Sequence, residues 1–322
     1  MTAQSTVTCL ELRCPACRAT MAGVHGNDDE RRCLTCGYTL RFTGEFWDAR
    51  VEGDPPAEFA AQWRLWESGV LRGETEELYG CTGEQAFIAM LNILGLDPTD
   101  LAKLRILEIG FGHGRILGEI QKHCPEAYGI DLVRPLVSAS LLSWSVVLGS
   151  LFRMPWAPGQ FDLVICRGVI HHTPDVRLAF SRIAEPVSPG GRLCLYIYEP
   201  HVPRSLLLRK LIPYSWLTPE RCRVLLSQTL GAVWAAFRTV TTKPLDIGRY
   251  SRHLGATTLG VFDILSPRIT TRHTPDEVLA WFREESLSAQ RLSACNYIGE
   301  RARLNPQLSG SIQSNQNRGR SR

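Results

Sequence analysis

Four cysteines, three glycines and two histidines hold most of the chemistry available to this 322-residue chain. The cysteines form two C-x2-C pairs, "CPAC" at Cys14 and Cys17 and "CLTC" at Cys33 and Cys36, with fifteen residues between the pairs. This spacing suits four thiolates around one tetrahedral Zn2+, each pair forming a tight knuckle. Gly37, directly after the second pair, suits the turn a knuckle needs. Four thiolates leave no open coordination position, so the expected zinc is structural and supplies the folding energy of a module too small to bury much apolar surface. The other seven cysteines are scattered and read as small buried hydrophobes.

The glycines lie in "LRILEIGFGHGR", Leu104 to Arg115, where an apolar run ends in Glu108 and Gly110, Gly112 and Gly114 follow at alternate positions. Such a loop lets a ligand approach the backbone. A P-loop is excluded, because Arg115 and Ile116 stand where Lys and Ser/Thr belong. A dinucleotide fingerprint is incomplete, because Arg115 replaces its third glycine and Glu108 would repel a pyrophosphate. Asp131 falls near the distance of about 20 residues expected for an acid that binds a ribose. The stretch therefore suits a ribose-bearing ligand without phosphate. His171 and His172 close the run "FDLVICRGVIHH" and are suited to accept a proton near neutral pH. Which of them faces a ligand is open, since strand alternation is lost there. His253 and His273 read as surface or capping residues.

The elements that must position these groups follow from periodicity. Short apolar runs at "RILEIG", "AYGIDL", "SVVLGS", "FDLVICRG" and "GRLCLYIYE" alternate with helix-like "RILGEIQKHC", "PLVSASLLSW" and "VRLAFSRIAEPV". Strand–helix alternation predicts an α/β fold, a Rossmann-like doubly wound and mostly parallel seven-stranded sheet, with ligands beyond the carboxyl ends of the strands. Before it stand a zinc-ribbon module (9–48) and a linker with lid helices (49–100), in which Trp63 and Trp66 either wall a pocket or pack in a core. The main domain spans 101–305, interrupted by a helical insert at about 201–245. Thr274, Pro275 and Glu277 signal a capped helix closed by a capping box, and "LSAQRLSAC" and "YIGERARL" form a late strand pair. Residues 306–322 read as a disordered tail.

The acid-x-Gly-x-Gly-x-Gly pattern resembles motif I of class I S-adenosylmethionine-dependent methyltransferases. Residues 149–175 resemble that family's next strands, and the later portion of the chain resembles methyltransferases of the type 11 kind. The resemblance implies S-adenosyl-L-methionine as cofactor, a cationic, phosphate-free nucleoside. By it Glu108, Gly110, Gly112 and Gly114 line the amino-acid side and Asp131 takes the ribose. Ser150 and Leu151 occupy the adenine position, although many members carry an acid at the first. Arg167 holds a position whose backbone often touches the cofactor, and His171 or His172 would assist deprotonation or position the acceptor.

Composition narrows the partners. Hydrophobic content of 44% and charged content of 21% are those of a globular protein with a core. The net charge of +4 owes three units to the terminal "RGRSR", so the body is near neutral and nucleic acid is not favoured. No run suits a secretory signal or a membrane span, and a reduced cytoplasm is expected for the cysteines. The expected function is transfer of a methyl group to oxygen or carbon of a small-molecule acceptor. An RNA methyltransferase gripping RNA with the ribbon, and a non-catalytic module docking a protein through it, are the alternatives. The Asn/Asp-Pro-Pro-Tyr/Phe signature of base-amine methylation is missing after the fourth strand, which reads "CRGVIHH".

Overall fold

The computed structural model describes residues 10–21, 29–54, 59–71, 81–134, 145–200, 212–241 and 247–303. Two clusters of strands form early: a small pair β1 (Leu12–Arg13) and β2 (Thr20–Met21), then β3 (Glu30–Arg32), β4 (Thr39–Phe42) and β5 (Trp47–Asp48). Helices α1 (Ala60–Glu67) and α2 (Gly83–Leu94) follow, and then the alternating core: β6 (Ile106–Ile109), α3 (Arg115–His123), β7 (Ala127–Asp131), β8 (Val146–Leu148), β9 (Phe161–Arg167), α4 (Val176–Ala184) and β10 (Val187–Tyr196). A helical hairpin, α5 (Glu220–Thr241) and α6 (Ile247–Leu265), precedes α7 (Pro275–Glu284), β11 (Leu287–Ser293) and β12 (Asn296–Arg301). The helix expected at "PLVSASLLSW", the first part of the insert and the tail at 306–322 fall outside the described residues.

The main sheet runs β11-β12-β10-β9-β6-β7-β8-β5-β4-β3. From β10 to β8 all pairings are parallel, and β12 enters antiparallel between β10 and β11. This is the expected seven-stranded, mostly parallel Rossmann-like sheet. It is longer than expected at one edge. β5 pairs in parallel with β8 (Trp47 opposite Val147), and β4 and β3 add antiparallel strands outside it. The second half of the cysteine module is thus part of the main sheet, so the boundary expected at 48 does not separate two bodies there.

Helices cover both faces, as alternation along each strand requires. Ile106, Leu163, Ile165 and Cys194 pack with Phe87, Met90 and Leu91 of α2 and Leu117 and Ile120 of α3. Leu107, Ile109, Val164, Cys166, Leu193 and Leu195 pack on the other side with Phe180 and Ile183 of α4 and Val278 and Phe282 of α7. Helix ends follow local chemistry. Thr82 and Gln85 close a capping box on α2, and Gly95 ends it in the left-handed region. Thr274 caps α7 as expected, but the Glu277 carboxylate meets His273 Nδ1 at 2.9 Å instead of completing a box.

The insert extends further than expected, since α6 continues to Leu265. It packs closely along α5: a Cβ on Gly231 would lie 2.4 Å from Thr258 Oγ1. Thr257 Oγ1 donates to the Gly231 carbonyl at 3.0 Å. None of the described helices is long and apolar enough to cross a membrane.

Candidate active site

The strand order reverses between β9 and β7 around β6, and the glycine loop leaves β6 at that switch point. A cavity of about 1120 Å3 opens there. Gly110 N donates to the Ile130 carbonyl at 2.8 Å, and Gly114 N turns back to Phe111 O at 2.8 Å before α3 begins. Gly110 has φ +76°, and a Cβ there would lie 2.2 Å from Val169 Cγ2. Only glycine fits both the angle and the approach.

Glu108 and Arg167 share a face of the sheet, with Glu108 opposite Ile165 in the β6–β9 ladder. Both line the cavity. Glu108 is buried, and burial pushes its carboxyl up to about 8, with Arg167 opposing that shift. Its Oε2 has no hydrogen-bond partner, nor has Arg167 Nη1, although both atoms are shielded from solvent. Two residues that line one cavity therefore carry an orphaned acceptor and an orphaned donor, both buried in its wall. Such groups are costly unless a ligand satisfies them.

Asp131 ends β7 on the cavity wall. Its Oδ2 accepts from Gly112 N at 2.7 Å and its Oδ1 from Val133 N at 2.9 Å. Burial raises its pKa while these backbone bonds favour the charge. Each oxygen retains acceptor capacity for hydroxyls. Ser150 and Leu151 lie farther along the wall. The Ser150 hydroxyl accepts from Phe152 N at 3.3 Å, capping a single turn, and keeps its own proton to donate.

The two histidines have different surroundings. His172 lines the cavity, and His171, fully buried, does not. His172 Nδ1 lies 2.9 Å from the Ile269 carbonyl. A carbonyl only accepts, so Nδ1 carries the proton and Nε2 is the basic nitrogen. Burial lowers the His172 pKa to about 4, the Ile269 bond opposing. His171 stacks on Tyr198 with centroids 3.9 Å apart, and neither of its ring nitrogens has a hydrogen-bond partner. Burial holds it well below the ordinary imidazole range.

The lid residues divide similarly. Trp63 lines the cavity, whereas Trp66 is buried with Leu71, Leu259 and Phe262 and meets His113 edge-on at 4.3 Å. Several wall residues had no sequence signal: Phe59, Tyr196, Tyr198, Asp263, Arg268 and Arg272. The last three come from α6 and the segment after it.

The cysteine cluster lies apart from this cavity. The Sγ atoms of Cys14, Cys17, Cys33 and Cys36 all lie within 4.8 Å of one another, with Cys14–Cys36 at 3.5 Å and Cys17–Cys33 at 3.6 Å. Thiolates at 2.3 Å from a tetrahedral zinc would be about 3.8 Å apart, so the set fits that ion. The two knuckles match: Arg18 N donates to Cys14 O and Gly37 N to Cys33 O, both at positive φ. The first knuckle is tied to the main domain through Arg13 N to Pro155 O and an Arg18–Glu185 ion pair of 2.5 Å.

Residues 107–195 match the profile of the type 11 methyltransferase domain. The chain carries a methyltransferase domain. Its seven-stranded, mostly parallel sheet has the class I architecture. Relatives of this methyltransferase domain include methyltransferase str3 of Strobilurus tenacellus, 35% identical over 102 residues, covering 30% of this chain and 37% of that protein. The uncharacterized methyltransferase YcgJ of Bacillus subtilis is 27% identical over 102 residues, covering 29% and 40%. The chain thus spans less than half the length of these curated relatives. Among solved structures, magnesium protoporphyrin IX methyltransferase of Synechocystis is 14% identical, with a TM-score of 0.45, covering 76% of this chain and 97% of that one.

Proposed function

We propose that this protein is an S-adenosylmethionine-dependent methyltransferase acting on a small-molecule acceptor, at oxygen or carbon. The observation that supports it most strongly is the pair of unpartnered buried atoms, Glu108 Oε2 and Arg167 Nη1, beside the left-handed glycine loop. An acceptor and a donor on one wall suit the ammonium and carboxylate of a methionine tail. Asp131 suits the ribose hydroxyls, and the acid Glu108 before the glycine loop suits a cationic nucleoside without phosphate. A cavity of about 1120 Å3, roofed by α1 and α6, has room for cofactor and acceptor together and resembles a small-molecule site more than an RNA groove.

S-adenosylmethionine, held by Glu108, Arg167 and Asp131, would supply a methyl group activated on a sulfonium for transfer to an electron pair of the acceptor's oxygen or carbon, the sulfur keeping the electrons of the broken bond. The chain's own part is to orient, to exclude water and to take a proton. His172, neutral and with Nε2 unprotonated, is suited to receive the acceptor's proton at that nitrogen. His171, without a place on the cavity wall, is assigned to packing.

The Cys14, Cys17, Cys33 and Cys36 cluster is proposed to hold a structural Zn2+, on the strength of the sulfur spacing. Calorimetry with S-adenosylmethionine, followed by transfer of labelled methyl from it to metabolite and RNA fractions, tests the reading. Binding followed by labelling of small molecules is expected. Absence of binding overturns it, and label confined to RNA moves the assignment to the RNA-modifying alternative.

A further inference from the structure

The described arginines outside the cavity are commonly paired. Arg105 meets Glu126, Arg177 meets Glu284 and Glu285, and Arg291 meets Glu199. Arg272, on the cavity wall, is different. Its guanidinium donates from Nη1 to the Glu199 carbonyl at 3.2 Å and lies 5.5 Å from the Tyr198 ring, and no described carboxylate pairs with it. A neutral carbonyl and a ring face leave most of its donors and all of its charge available.

Its backbone is firmly held. Thr271 N donates to His171 O at 2.9 Å on one side and His273 N to Tyr198 O at 2.9 Å on the other. Ile269 O takes His172 Nδ1. The segment that carries Arg272 is therefore stitched to the loops that carry the base. Tyr198 links the two, since its ring centroid lies 5.8 Å from that of His172. Arg268 stands on the same wall over the Trp216 ring at 5.0 Å. The acid in this region is Asp263, which takes the Tyr198 hydroxyl at 3.5 Å. Phe59, Trp63, Tyr196 and Tyr198 add aromatic rings to this wall.

Resting on the methyltransferase reading, we infer that Arg272 anchors a carboxylate on the methyl acceptor, and that the acceptor is a flat aromatic carboxylic acid. A fixed planar guanidinium matches a carboxylate by two parallel hydrogen bonds. The aromatic wall takes the ring. The shared contact with Tyr198 then sets how far the methylated atom stands from the anchor, and brings it to His172.

The test uses the full-length protein, with and without saturating S-adenosylhomocysteine. Binding of benzoate, phenylacetate and indole-3-acetate is compared by calorimetry with that of the corresponding amides. At least one acid is expected to bind 10-fold or more tightly than its amide. Arg272→Gln abolishes the preference, Arg272→Lys keeps part of it, and neither changes the affinity for S-adenosylhomocysteine. Equal binding of acids and amides, no binding by any acid, or a preference that survives in Arg272→Gln overturns the anchor. Failure of S-adenosylhomocysteine to bind the parent protein refutes the cofactor reading instead, and the cofactor-free comparison then still decides the anchor.

Discussion

The indole of Trp63 stands directly over Gly112: a Cβ on that glycine would lie 2.8 Å from Trp63 Cζ2. Gly112 also has φ +55°, a conformation that costs a side chain roughly 1–2 kcal/mol. The lid helix α1 and the glycine loop are thus fitted to each other. Gly112→Ala is expected to weaken S-adenosylmethionine binding at least 10-fold. In a Trp63→Ala background the same change should cost less, because the clash is gone and only the backbone strain remains. A double-mutant cycle by calorimetry measures this coupling, and strictly additive losses would refute it.

Glu108 is held protonated up to about pH 8 by its burial. An ammonium arriving beside it favours the ionised form, so cofactor binding should release a proton below that pH, and affinity should rise as pH increases from 6 toward 9. Binding heats measured in buffers of differing ionisation enthalpy report the proton directly. Heats that do not depend on the buffer, or a Glu108→Gln variant that binds with an unchanged pH profile, would count against this role.

His172, lowered to about 4, is neutral throughout the physiological range. Turnover should therefore be flat on the acid side until the pH approaches 4, and fall as Nε2 becomes protonated below it. His172→Ala should lose about 100-fold or more in turnover with cofactor affinity kept. His171→Phe should keep its turnover and lose no stability, since an imidazole buried without partners is replaced by a ring that needs none. The reverse pattern in the two variants would reassign the base.

Glu199 is buried, bound by Arg291 at 2.8 and 2.6 Å and by the Tyr297 hydroxyl at 2.5 Å. Arg291 chiefly holds its carboxyl down at about 2. A depressed carboxyl pKa contributes stability that is complete above the ordinary range near 4.5 and is lost as pH falls toward 2. Glu199→Ala strands the buried tyrosine hydroxyl and should cost about 1–3 kcal/mol. Thermal melts at pH 7 and pH 3 should show the difference between parent and variant shrinking in acid.

The purified protein should carry one zinc per chain, and Cys33→Ser should lose it along with a clear drop in melting temperature. Elemental analysis decides the first point. Metal-free protein with an unchanged melting curve would leave the cluster without a structural ion.

Much of the fold could be read from local pattern. The five apolar runs became the parallel strands because each carries alternating apolar side chains to both covered faces, and the Thr82 and Thr274 caps declare themselves by residue type. The loop glycines were legible for the same reason: positive φ and close approach demand them. Other features depend on distant partners. β5 is two residues long, and nothing in "WD" announces a parallel pairing with Val147 and Leu148. α6 holds Gly255, Gly260, Thr257 and Thr258, weak helix formers, and its helicity rests on tight packing along Gly231. Arg272 and Asp263 reached the cavity only through the chain path of the insert. That His172 and not His171 lines the cavity was equally hidden, and the His172 tautomer follows from one carbonyl, that of Ile269, 97 positions away.

The run of strands through β5 has a practical corollary. Ala49 N donates to Leu148 O at 2.8 Å, and a Cβ on Gly149 would meet Ala49 Cβ at 3.1 Å, directly before Ser150. A fragment trimmed to begin after residue 54 would bare the border of β8 as a row of unpaired amides and carbonyls, an invitation to self-association. The described strands before residue 50 are therefore masonry for the Ser150 end of the cavity, and a disturbance at the cysteine cluster would be felt there by ligands it never touches.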